Sequence, residues 1–334
     1  MAPRLGATGF LEGRLAGARV RARYRYRVYG LVIESELPLT SVEELAGGEG
    51  QPAITLTFAS PDHFRTIAPG RAPDPDDWVQ HVILDDGSVY VKADGVFETL
   101  ISADGRNVIC TRLGDIDQRS FEANLLNFVV SASLTLQGEE TLHSTVVEID
   151  GRAVGLLGLS GAGKSTLAAF LIGRGADLLT DDMLRVSFAG GALLAHAGPY
   201  RLKLLDEPGK RFLPAATADG FFNSLSGKVM VQPRENVPLR PGPVPLAALF
   251  HLGHPDDQPG LEAVSLSRLG GIELARVIIS STMDTRYALP GRLARQIEFA
   301  ARVARTLPVY ELRYPRSVDA MDDVAEEIRR AIRT

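Results

Sequence analysis

Two short clusters carry residue types and spacings suited to phosphate chemistry. The first reads Gly158-Leu159-Ser160-Gly161-Ala162-Gly163-Lys164-Ser165-Thr166. A glycine, four residues and then Gly-Lys-Ser is the complete phosphate-loop pattern. The glycines let the backbone curl until successive N–H groups face a phosphate oxygen. The stretch from Gly158 to Thr166, with Ser160, Gly161, Ala162 and Gly163 at the bend, is therefore the expected nucleotide cradle. Lys164 brings a cation to the β- and γ-phosphates, and the Ser165 hydroxyl can ligate Mg2+. A helix opening at Lys164 aims its partly positive end at the same anion. The expected ligands are ATP and Mg2+.

The second cluster is Asp181-Asp182, which closely follows the apolar pair Leu178-Leu179. Carboxylates at the end of a strand in an α/β sheet lie where ligands collect. One can hold Mg2+ while the other accepts the proton of an attacking hydroxyl. His143 stands at the start of the strand that precedes the loop strand. A lone histidine there is either structural or catalytic, and its place near the active edge makes it a candidate.

These residues need a strand, a tight loop and a helix to position them. Residues 153–157 supply an apolar strand, and Leu167-Ala168-Ala169-Phe170-Leu171 is rich in helix formers, with Gly173 and Gly175 as a stop. A partner strand is expected over 144–149, joined by the Asp150-Gly151 turn, and further strands over 176–179, 192–195, 228–231 and 246–252. Helical stretches are expected over 290–306 and 318–332. Residues 215–245 are rich in Pro, Gly, Asn and Ser and read as exposed loops. The first half has a different texture. Short β-like runs fall at 24–33, 53–59, 78–84, 88–92, 96–102 and 107–111, the later ones separated by Asp-Gly turns. An amphipathic helix follows over 117–136, ended by Gly138. The expected organisation is a loose arm over 1–23, a small β-rich domain over 24–138 closed by that helix, and a phosphate-loop kinase domain over 139–334.

Composition narrows the partners. Hydrophobic residues make up 45%, charged residues 23%, and the formal net charge is −5, which gives ample core and no electrostatic pull toward nucleic acid. Cys110 is the single cysteine, so a disulfide framework within the chain is excluded and a cysteine zinc site is not expected. No apolar run approaches the ~18 residues of a membrane span, and residues 1–23 lack a signal-peptide core. No nucleic acid and no membrane is expected, and a cytoplasmic location is the default.

The order Leu142-His143, Asp150-Gly151, Gly158 to Ser165, and Arg174-Gly175-Ala176-Asp177-Leu178-Leu179-Thr180-Asp181-Asp182 resembles the bacterial HPr kinase/phosphorylase family over about 40 residues. The resemblance implies the α/β fold shared with phosphoenolpyruvate carboxykinase. It also implies roles: Asp181 as base toward the acceptor hydroxyl, Asp182 toward Mg2+, His143 supporting the site. The family carries a Leu-Glu-Ile-Arg-Gly segment where this chain reads Gly198-Pro199-Tyr200-Arg201-Leu202-Lys203-Leu204. The missing Glu argues against HPr recognition and reverse phosphorolysis. Arg201 and Lys203 are candidate cations for phosphate or substrate, the alternative being a charged strand face. The segment Tyr29-Gly30-Leu31-Val32-Ile33-Glu34-Ser35-Glu36-Leu37-Pro38-Leu39 resembles a narrower branch, the HPr-kinase-like proteins found with lasso-peptide biosynthesis. That branch implies phosphorylation of the C-terminal serine of a precursor peptide.

The expected activity is thus an ATP-dependent kinase acting on a hydroxyl, with a peptide or protein serine as acceptor. Kinases of another protein or a small metabolite, and a catalytically silent nucleotide-binding regulatory module, stay open, as does a homo-oligomeric state. A transport-type ATPase is disfavoured, because no second acidic motif or Ser-Gly-Gly signature follows.

Overall fold

Turns at positive φ decide where the first half of the chain reverses. Residues 24–33, expected as one strand, are two: Tyr24–Val28 and Leu31–Ser35 pair antiparallel around Tyr29 (φ 53°) and Gly30 (φ 69°). Two adjacent positive-φ residues suit a tight hairpin, though tyrosine adopts that conformation rarely. Tertiary contacts hold it: the buried Tyr29 donates its N–H to Ala197 O at 2.8 Å and accepts from Arg185 Nη1 at 3.1 Å.

The computed structural model describes residues 23–46, 50–67, 79–221, 227–235, 237, 242–254, 260–285 and 287–333. The arm expected over 1–23 lies outside the described residues except for Arg23, which donates to Glu34. The described chain is a mixed α/β structure with sheets of eight, nine and three strands. The eight-stranded sheet runs from Tyr24 to Arg112, its later strands Ile54–Phe58, Val79–Ile83, Val89–Ala93, Phe97–Ile101 and Asn107–Arg112. Trp78, expected to open one of them, lies outside the described residues.

The following helix is not continuous. Asp117 caps it by accepting from Ser120 N, and α-helical Gln118–Asn124 and Val130–Leu136 flank a π-helical turn, Leu125–Val129. Phe121, Leu125, Leu126 and Val129 pack on Ile33, Ile54, Leu56 and Phe97 of the sheet. Such π-turns are rare and re-aim side chains; here the turn carries Asn127 toward the second half.

In the nine-stranded sheet, Leu142–Ile149 and Arg152–Leu157 form a hairpin through Asp150 (φ 51°) and Gly151 (φ 77°). Arg152–Leu157 then pairs parallel with Val244–Leu252, and that strand pairs parallel with Val309–Arg313. Alternation sends Val154 and Leu156 to one face, against Leu167, Leu171, Val324 and Ile328 of helices Lys164–Gly173 and Met321–Arg333. Ala153 and Leu157 face the other way, against Leu274, Ile278, Phe299 and Val303 of helices Gly271–Ser280 and Arg292–Thr306. With both faces covered, the parallel centre is dry, as parallel strands require.

The span 215–245 is not simply loop. Thr217–Phe221 and Val229–Gln232 pair with each other, and the latter with Leu202–Leu204, as the three-stranded sheet. The strand expected over 228–231 is thus present as Val229–Gln232, while local composition hid Thr217–Phe221. No helix among the described residues is long and apolar enough to cross a membrane.

Candidate active site

Strand register brings the sequence candidates to one edge of the nine-stranded sheet. Leu157, the last residue before the glycine loop, lies beside His251, which lies beside Glu311. On its other side Leu157 opposes Ser144, while His143 opposes Met183. The loop 158–163, the acidic pair and His143 therefore meet at the carboxyl ends of the parallel strands, where α/β sheets bind ligands.

The loop has the backbone its glycines permit. Gly158, Gly161 and Gly163 have φ of 140°, 86° and 91°, and a Cβ on Gly158 would stand 2.6 Å from Leu252 O. Lys164 is the first residue of its helix and is buried; its Nζ donates to Gly158 O at 2.7 Å and Leu159 O at 3.2 Å. Burial lowers its pKa, opposed by Asp182 and Asp181. Ser160 is exposed, and Ser165 and Thr166 on the first helical turn are half-buried. Arg316, which carries no motif, braces the loop from beyond the third parallel strand. Its guanidinium donates to Ala162 O at 2.9 Å, Gly253 O at 2.6 Å and Tyr314 Oη at 2.6 Å. Nothing in sequence places residue 316 at a loop 154 residues earlier.

The acidic pair is split by its surroundings. Asp181 Oδ1 accepts from Thr145 Oγ1 at 2.7 Å and Oδ2 from Lys203 N at 2.9 Å. Burial, and then its neighbour Asp182, raises its pKa. Asp182 sits at φ 67°, a left-handed conformation that Asp tolerates, and accepts from Lys203 Nζ and from Asn127 Nδ2 at 3.4 Å. Burial pushes its carboxyl up, but Lys203 and His143 outweigh that and hold it at about 2. Two adjacent carboxyls pushed apart in proton affinity can take different roles: Asp181 holds a proton more readily than an ordinary carboxylate and Asp182 less readily. His143 is driven down to about 4, by burial first and Lys164 second, so at neutral pH its imidazole is uncharged.

Two sequence candidates differ from the expectation of accessible cations. Lys203 is buried and already paired with Asp182. Arg201 is also buried, next to the phenol of Tyr29, and its Nη1 donates to Arg119 O at 3.3 Å. Both close the site from the inside, because the strand Leu202–Leu204 packs under the helix Lys164–Gly173 and is not an exposed edge. Asn127 reaches Asp182, Tyr29 lies within electrostatic reach of the pair, and Arg119 meets Arg201 and Asp219; all three come from the first half of the chain, and no local sequence pattern signalled it.

Among the described residues no group of three or more His, Cys, Asp or Glu side chains is placed to hold a metal. Mg2+ binds through one or two protein oxygens plus phosphate and water; Asp182 and Ser165 carry oxygens of that kind.

No family model matches the chain, and no curated protein matches it. Among solved structures, the Hpr(Ser) kinase/phosphatase from Coxiella burnetii is similar over 57% of this chain and 88% of its own, at 15% identity and a TM-score of 0.30. A likeness that loose carries no functional weight, since function lives in sites rather than folds.

Proposed function

We propose that the protein is a phosphate-loop phosphotransferase that moves the γ-phosphoryl group of ATP to a hydroxyl. The observation that carries this reading is the meeting of Lys164, the positive-φ glycines of the loop and a buried, electrostatically divided Asp181–Asp182 pair at one sheet edge. In this reading the N–H groups of 158–166 and Lys164 hold the β- and γ-phosphates. The acceptor oxygen forms its bond to phosphorus as the bond to the β-phosphate oxygen breaks, and the hydroxyl proton goes to Asp181. Asp182 and Ser165 would hold Mg2+, which would supply neutralisation of charge on the phosphates. His143 is uncharged at neutral pH and lines the buried site near Asp182.

The favoured acceptor is a serine hydroxyl in a peptide, and most narrowly the C-terminal serine of a lasso precursor peptide. Support for the narrower reading is the likeness of residues 29–39 to that branch, together with the place of Tyr29, buried against Thr180 within the electrostatic reach of Asp182. The test is incubation with MgATP and peptides ending in serine, followed by mass spectrometry. A phosphate-sized gain on the serine supports the reading. Transfer to free serine alone would favour a small-metabolite kinase, and nucleotide binding without transfer to any hydroxyl would leave a regulatory module.

A further inference from the structure

A pocket of about 290 Å3 opens between residues 40–43 of the first half and the three-stranded sheet of the second. Ser41, Tyr200, Arg201, Asp219, Gln232 and Arg234 are among its lining residues. Most charges on its wall are already engaged. Asp219, buried, accepts from Arg119 and from Gln232 Nε2. Arg234 donates to Asp177 and to Ala176 O. Glu122, behind residues 40–41, accepts from Thr40 N, Ser41 N and Gln118 Nε2.

Arg201 differs. It is 5% exposed, yet among the described residues its five N–H donors make one hydrogen bond, at 3.3 Å to Arg119 O, and no ion pair. Asp219, Glu122 and Asp182 favour its charge from a distance, but none of them bonds to it among the described residues, and a planar fork is the group proteins use for bidentate capture of a carboxylate. Two more polar atoms on the pocket wall, Ser41 Oγ and Tyr200 Oη, are buried without a hydrogen-bond partner among the described residues. A cation with spare donors and two hydroxyls without partners converge on one concave space.

We infer that this pocket binds a carboxylate of the phosphoryl acceptor, with Arg201 as the fork and Ser41 and Tyr200 as supporting donors; the assignment to the acceptor rests on the phosphotransferase reading above. Carboxylate is favoured over phosphate because, among the described residues, one cation with spare donors lines the pocket while Asp219 and Glu43 also line it, a poor field for a dianion. Position sets the distance. Arg201 precedes Lys203, the partner of Asp182, by two residues, roughly 6–7 Å along an extended chain. A carboxylate on Arg201 and a hydroxyl at Asp181 therefore belong to one residue or to immediate neighbours. A chain-terminal serine meets that condition.

The test uses N-acetylserine and N-acetylserinamide as probes, with inorganic phosphate as a third, in calorimetric titrations of the full chain. The wild-type protein is expected to bind the acid about tenfold more tightly than the amide, the value of one charge-assisted contact. Arg201→Gln keeps size and polarity and is expected to erase that preference. Tyr200→Phe, which removes only a hydroxyl, is expected to reduce it, and keeps the inference testable if the Arg201 variant fails to fold in a melting curve. Equal binding of acid and amide, no binding of either, or an unchanged preference in a folded Arg201→Gln protein overturns the inference. So does tighter Arg201-dependent binding of phosphate than of N-acetylserine. MgATP binding by the wild-type protein is measured separately; its absence would overturn the phosphate-loop reading and leave the pocket result standing on its own.

Discussion

Replacing Lys203 by Met should make the electrostatics of the site visible as a loss of stability. The side chains of Lys203 and Asp182 are 6% and 19% exposed and directly paired. Met matches the length of the lysine stem but leaves the Asp182 carboxylate facing Asp181 without its cation. Removing one partner of a buried pair costs about 3–5 kcal/mol, because the remaining charge stays desolvated. For a chain this size that lowers Tm by on the order of 4–7 °C. The pH dependence follows from the sign of the shift. Asp182 is held at about 2, below the ordinary carboxyl value of 3.8, so its contribution is present above that ordinary value and is lost as pH falls through about 2. The gap between wild type and variant should therefore be widest at neutral pH and narrow in acid, where protonation relieves the stranded charge. Denaturant melts at several pH values read the effect. In a double-mutant cycle, adding Asp182→Asn should recover on the order of 2 kcal/mol of the loss. A neutral-pH cost under about 1 kcal/mol, the range of an exposed pair, or zero coupling in the cycle, would refute the claim that this pair organises the site.

Lys164→Ala should weaken MgATP binding roughly 10- to 150-fold, the equivalent of ~1.5–3 kcal/mol for a charged hydrogen bond; unchanged calorimetric affinity would remove the phosphate-loop assignment. Asp182→Asn should raise the Mg2+ concentration needed for turnover, while Asp181→Asn should depress transfer and spare nucleotide binding; identical magnesium titrations would show that the two carboxylates do not divide the work. His143, driven down to about 4, should show flat imidazole NMR shifts between about pH 5.5 and 8, against the ordinary midpoint near 6.5. Its depressed pKa means that the folded state loses stability as pH falls from about 6.5 toward 4. A midpoint near the ordinary value would mean that His143 is solvated and outside the buried site.

Local sequence signals were sufficient for the parts of the structure whose chemistry is local. The phosphate-loop pattern, the strand before it and the helix opening at Lys164 all lie within about twenty residues, and each rests on backbone geometry that glycine spacing or helix propensity dictates. The Asp-Gly turns likewise marked hairpins, with Gly87, Gly95 and Gly105 at positive φ. The strand pair around Tyr29 was missed because tyrosine is not a turn former; its conformation is held by Ala197 and Arg185, far along the chain. Within 215–245 the strand expected over 228–231 is present as Val229–Gln232, whereas Thr217–Phe221 and its place beside that strand, which itself pairs with Leu202–Leu204, had no local signal.

What the sequence by itself determined is the list of chemical groups: a glycine loop with Lys164 and Ser165, two adjacent carboxylates, a histidine, and two cations at 201 and 203. What only the tertiary structure decided is the state of those groups. Asp181 and Asp182 are neighbours of identical type, yet Thr145 and the backbone of residue 203 bind one while the Lys203 ammonium and Asn127 bind the other. Lys203 and Arg201 read as equivalent charges, but one is neutralised and the other keeps its donors toward a pocket. Proton affinity and free bonding capacity depend on burial and on the nearest few atoms, and in a sheet those atoms come from strands that are distant in the chain.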